Sequence, residues 1–190
     1  MQVRLLALLV AASAVVAVTG CDNSTGIQAQ FSNTDSKPQL FTLNGSPTSL
    51  PTAIILRGVV PTIPDANFNF DLAFDINGAG EVVVYTVKAV ASQVAATHQV
   101  GLQATTQSFD AATRAPTSGF TFDSSMVLPV GQTVFVQATD VNCATSFLGP
   151  TIRAKMVVDS VKPESRTMFL HILSNPNCGF KSLVTGEPRD

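Results

Sequence analysis

Tryptophan is absent from this sequence, and tyrosine occurs once, at Tyr85. Sugar-binding β-sandwiches usually stack their ligand on exposed indole or phenol rings, so a carbohydrate module is disfavoured. Charge is scarce as well. Only 13% of the residues are charged and the formal net charge is −2, which leaves no basic patch to neutralise phosphates. No nucleic-acid partner is expected. Histidine occurs only at His98 and His171, so side chains that titrate near neutrality are few. There is no G-x-S-x-G, no H-E-x-x-H, no P-loop and no Gly-rich dinucleotide turn. No enzymatic activity is expected.

Long apolar runs are also missing, with one exception at the start. Arg4 is followed by an almost purely apolar stretch over residues 5–18 and then by the small residues Thr19 and Gly20, the three zones of a secretory signal. The run is roughly 14 residues long, against the 20 or so that a membrane-crossing helix needs. It reads as a signal peptide over residues 1–20. Val18, Thr19, Gly20 and Cys21 resemble the lipobox of bacterial lipoproteins: an aliphatic residue, two small residues and a cysteine. The resemblance implies cleavage before Cys21, a diacylglycerol on its sulfur and acylation of the new amino terminus. Stable anchoring takes two membrane signals, and two or three acyl chains on one residue supply them. The implied partner is a membrane reached through the lipid anchor, and the implied location is the cell envelope, periplasmic or surface-exposed.

With Cys21 assigned to lipid, Cys143 and Cys178 remain. An exported pair favours a disulfide, with two free thiols as the alternative, and neither residue has the spacing of a metal site. A bridge closing a loop of about 35 residues would contribute roughly 4 kcal/mol in the chain-entropy account. The stretch Asn175-Pro176-Asn177-Cys178-Gly179-Phe180 reads as a turn that presents the second cysteine.

Residues 21–36 are rich in Asn, Ser, Thr and Gly and read as a flexible tether, which leaves residues 37–190 as one domain. Its dominant pattern has a period of two. In FNFDLAFDI, Phe68, Phe70, Leu72, Phe74 and Ile76 alternate with Asn69, Asp71, Ala73 and Asp75, which predicts a strand with one apolar face. Asn77-Gly78-Ala79-Gly80 then predicts a hairpin turn into a β-branched strand over residues 82–87. A four-residue turn would set Leu72 beside Tyr85 and Asp71 beside Thr86. Further strands are expected over residues 52–57, 98–105, 132–139, 152–161 and 166–173, the last two joined by a turn at Lys162-Pro163-Glu164-Ser165. Residues 87–97 also fit helical spacing. Many short strands and frequent Pro and Gly predict an all-β, antiparallel β-sandwich or flattened barrel.

Chemistry is harder to find. Asp75-Ile76-Asn77-Gly78-Ala79-Gly80-Glu81 echoes the start of a calcium loop, but Ala79 and Thr86 stand where oxygen ligands are needed, so a plain turn is expected. Asp71 and Asp75 lie four residues apart on one strand, about 13 Å, too far for a glycosidase pair. They read as a solvated face. Phe109, Phe120 and Phe122 are candidates for a small exposed apolar patch.

Three segments also resemble, in order, elements of the HmuY-like lipoproteins. These are Phe70-Asp71-Leu72-Ala73-Phe74, Thr133-Val134-Phe135-Val136-Gln137-Ala138, and the stretch from Arg153 through Lys155, Met156 and Asp159 to Val161, with Phe70 where that family commonly has Trp. That resemblance implies an all-β, haem-binding surface protein. Axial ligands would have to come from His98 and His171, with Met126, Met156 and Met168 as softer options.

Two functions follow. The first is a lipid-anchored envelope protein with a non-catalytic domain that needs no cofactor and binds an envelope partner through its loops or a sheet edge. The alternative is a small-ligand binder, with haem as its sharpest form. A filled core with no deep pocket fits the first, and a cleft of a few hundred Å³ with His98 or His171 in its wall fits the second.

Overall fold

The computed structural model describes residues 27–94 and 97–189. The expected signal peptide over residues 1–20, Cys21 and the first part of the expected tether lie outside the described residues.

In chain order the strands are β1 (Thr34–Ser36), β2 (Gln39–Phe41), β3 (Ala53–Ile55), β4 (Val60–Thr62), β5 (Leu72–Ile76) and β6 (Val82–Thr86). After the single helical turn α1 (Val87–Val90) come β7 (Val100–Ala104), β8 (Thr121–Phe122), β9 (Ser125–Leu128), β10 (Thr133–Thr139), β11 (Thr151–Lys162) and β12 (Thr167–Asn175). They form two antiparallel sheets. One runs β1-β12-β11-β10-β7-β8, with β2 also paired to β12, and the other runs β4-β3-β5-β6-β9. The fold is an all-β sandwich rather than a closed barrel. Among the described residues no helix is long and apolar enough to cross a membrane.

The core lies between the sheets. Leu72, Phe74 and Ile76 of β5 and Val82 and Val84 of β6 meet Val134, Val136, Ala154, Met156, Leu170 and Ile172 of the larger sheet. Burying a side chain of this size contributes about 1.5–3 kcal/mol, so this one layer dominates the stability. A smaller cluster of Ala112, Ala115, Phe135, Leu173 and Leu183, with Phe109 and Phe120 against it, covers part of the larger sheet's other face.

Several expectations shift for local reasons. The β5–β6 hairpin pairs Leu72 with Thr86 and Ile76 with Val82, one residue away from the expected register. The turn between them has five residues because Asn77 Oδ1 accepts from both the Ala79 and Glu81 amides, each at 2.9 Å. Slipping by one reverses a strand's faces. Thr86 is therefore buried, and Tyr85 is turned towards the outside. Upstream, Phe68 has φ +52° and does not continue the strand, because a turn at Asp65 ends there. Phe70 is still fully buried.

The larger sheet also takes up residues that composition assigns to the tether. Thr34 pairs with Ser174, Asn33 bridges to Gly186, and Gln28 bridges to Arg189. Polar, turn-prone sequence can still form an edge strand when a long neighbour such as β12 offers free backbone groups.

Asp71 and Asp75 are not solvated. They are 8% and 6% exposed, and each is buried with partners. Asp75 accepts from Asn44, from its neighbour's amide at Ile76 and from Arg166 at 3.0 Å. A buried carboxylate is tolerated when charge-assisted hydrogen bonds replace its water.

Candidate functional site

At one end of the sandwich, the loops around residues 57–71, 93–99 and 139–150 enclose a cleft of about 1170 Å³. Its position follows from strand direction. β3 and β10 end here, and β5 and β7 begin here, so their connecting loops converge. Ile55, Phe68, Phe70, Val94 and Val141 supply apolar wall, while Asn67, Asn69, Gln93, Gln99 and Asn142 supply carboxamides.

The charged groups of the cleft are paired with one another. Asp71 Oδ2 accepts the Leu56 amide at 2.7 Å, and its Oδ1 lies 2.9 Å from His98 Nε2. Arg57 Nε meets Asp140 Oδ2 at 2.5 Å, and its guanidinium also reaches Cys143 Sγ at 3.4 Å. Burial pushes the Asp140 carboxyl up, but hydrogen bonds from Arg57 and from the backbone and side chain of Asn142 outweigh it and hold the group below the ordinary carboxylate range. Asp140 Oδ1 accepts the Asn142 amide at 2.7 Å and so caps the short 3-10 turn Val141–Cys143. That turn carries the disulfide. Cys143 and Cys178 are bonded, with Cα atoms 5.4 Å apart, and the bridge ties the loop after β10 to the segment after β12.

The two histidines fall into different places. His98 is in the cleft wall. His171 lies on the outward face of β12, stacked on Phe109 at 3.9 Å between ring centroids, with Nε2 2.7 Å from Asp35 Oδ1. It borders a separate cavity of about 190 Å³. Lys155 lines that cavity too, only 3% exposed, and donates to the Phe109 carbonyl at 2.6 Å. Desolvation lowers its pKa, partly offset by Asp110 and Asp35. Met156 and Met168 are fully buried in the core, and Met126 is packed against it. The haem-ligand candidates therefore do not converge. Among the described residues no three His, Cys, Asp or Glu side chains are grouped to hold a metal ion.

The expected aromatic patch is also divided. Phe109 stacks on His171, whereas Phe120 and Phe122 sit 6.4 Å apart over Gly101, and of the three only Phe122 is strongly exposed.

Sequence reading missed Arg57, Asp140 and the carboxamide lining. Asp140-Val141-Asn142 carries a local signal, an Asx cap before a turn, but nothing local announces that Arg57 will meet it. The fold and the site together define a β-sandwich with a ligand-sized cleft at one end. No protein family matches the chain, nor does any curated protein or solved structure.

Proposed function

We propose that this chain is a lipid-anchored cell-envelope protein whose sandwich is a non-catalytic binding module, taking an uncharged, part-apolar ligand into the end cleft. The observation that carries this is the lining: apolar side chains and carboxamides face the space, while Asp71 with His98 and Asp140 with Arg57 satisfy one another. A charged ligand would have to break one of those pairs, and separating a partly buried pair is costly. A neutral ligand bearing amide or hydroxyl groups can meet the carboxamides without that cost. The lipobox-like residues 18–21 support the anchor and the envelope location.

The test uses the uncharged dye N-phenyl-1-naphthylamine and the full mature chain. Saturable fluorescence enhancement is expected. It should weaken at least tenfold, about 1.4 kcal/mol, when Ala66→Trp fills the cleft, with the melting temperature unchanged. Equal binding by both proteins, or none by either, overturns the reading.

Haem is the second reading, favoured by the place of His98 in the cleft wall. Its Nε2 already faces Asp71, and the cleft's one Arg faces Asp140, so haem propionates would compete for a cation that is already paired. A haemin titration decides. A Soret shift abolished by His98→Ala supports haem, and a spectrum unaffected by that change removes it.

A further inference from the structure

The cleft end of the sandwich is also the end from which the chain leads back to Cys21. β1 runs antiparallel to β12 with Thr34 opposite Ser174, so residues 27–33 lie beyond the end of β12. There the Gln30 and Phe31 amides donate to Asn177 Oδ1 at 2.8 and 2.9 Å, and Asn177 Nδ2 donates to the Phe31 carbonyl at 2.7 Å. Asn177 adjoins Cys178, whose disulfide reaches the loop after β10. That loop presents apolar side chains to solvent: Val141 is 89% exposed, Phe147 85% and Leu148 37%. Ile27 and Phe31, on the clasped segment, are 46% and 51% exposed. A Cβ at Gly179 would overlap the Leu148 carbonyl, so the loop rests directly on the segment after Cys178. Residues 141–149 and 23–34 contain no charged side chain.

Aromatic and aliphatic side chains exposed together on a braced, uncharged loop mark an interaction surface. Only five residues separate Cys21 from Ile27, and even fully extended the chain spans only about 20 Å between them. A lipid on Cys21 would hold this end of the domain, and not the opposite one, within that distance of the bilayer.

We propose that Phe147, Leu148 and Val141, with Ile27 and Phe31, form a docking surface for the lipid bilayer, so that the domain lies against the membrane with its cleft end inward. The inference rests on the lipid anchor proposed above and adds an orientation to it. Phe147 enters the headgroup and upper acyl region to a depth of about 5–10 Å, as apolar faces of interfacial segments do.

Because the chain lacks tryptophan, a single introduced indole is a clean reporter. The native lipidated protein carrying Phe147→Trp would be placed in phosphatidylethanolamine–phosphatidylglycerol vesicles containing lipids brominated on their acyl chains. Gly78→Trp, at the far turn where a new side chain meets nothing within 4 Å, serves as the reference. Docking predicts a blue-shifted, bromine-quenched indole at position 147 and a solvent-like, unquenched one at position 78. If both variants float with the vesicles but position 147 is unquenched, docking is wrong and the anchor stands. If neither floats, anchor and docking fall together. A blue shift at position 147 without lipid, accompanied by dimerisation, assigns the surface to a second copy and overturns the inference.

Discussion

At the scale of single residues, the chemistry of the cleft is decided by which carboxylate finds which donor. Alternation along β5 places Asp71, Ala73 and Asp75 on one side of the strand, and that much was legible in the sequence. Their burial was not, because the partners Leu56, His98, Asn44 and Arg166 come from distant segments. Asp140 gives the sharpest test. Its folded pKa is held below the ordinary value of 3.8, so its stabilisation is complete above that value and is lost as the pH falls through the lower folded value. Asp140→Asn is expected to cost about 1–2 kcal/mol at neutral pH, as loss of hydrogen bonds to a charged group does. In urea unfolding, the gap between wild type and variant should narrow in acid. A gap that stays constant throughout the acid range would show that the ion pair contributes nothing through its charge.

Between elements, close approaches set the tolerances. Gly101 of β7 lies under Phe120 and Phe122, and a Cβ there would come within 2.8 Å of the Phe122 ring and 2.9 Å of the Phe120 Cβ. The exposed Phe122 ring has solvent to move into, but the Phe120 Cβ is tied to its backbone, so Gly101→Ala should cost about 1–3 kcal/mol. Gly179 differs in two ways. Its φ is +79°, and a Cβ would overlap a backbone carbonyl, which cannot rotate aside. Gly179→Ala is therefore expected to add roughly 1 kcal/mol of backbone strain to a tighter overlap, and thermal unfolding should rank it below Gly101→Ala. Equal melting temperatures would mean that the loop at residues 144–150 shifts freely, and the docking surface would then lack its brace. Turn chemistry was readable at this scale: Lys162-Pro163-Glu164-Ser165 forms its turn, with Arg166 in the left-handed region. The length of the β5–β6 turn was not, since a single asparagine side chain added the fifth residue.

For the whole molecule, the disulfide is the strongest single constraint outside the core. It joins residues 35 apart, and the chain-entropy account gives about 4 kcal/mol for a loop of that length. Cys143→Ser with Cys178→Ser, or reduction of the native bridge, should lower the melting temperature by about 8–16 °C in a domain of this size. A shift of only a degree or two would place the stability in the two sheets alone. The bridge also holds the loop after β10 against the segment after β12, so its loss should weaken dye binding in the cleft as well.

By itself the sequence determined the class of fold and most of the strand positions, and it favoured the bridge between Cys143 and Cys178 that the structure contains. These depend on side-chain alternation, turn residues and cysteine number, which act locally or by simple counting. Tertiary structure alone decided that loops from both sheets meet in a cleft, that His98 enters it while His171 faces away, and that Asp71 and Asp140 find their hydrogen-bond partners within it. The reason is range. Hydrophobic periodicity is written over a few neighbouring residues, whereas the Arg57–Asp140 pair spans 83 positions and exists only after the sheets have stacked.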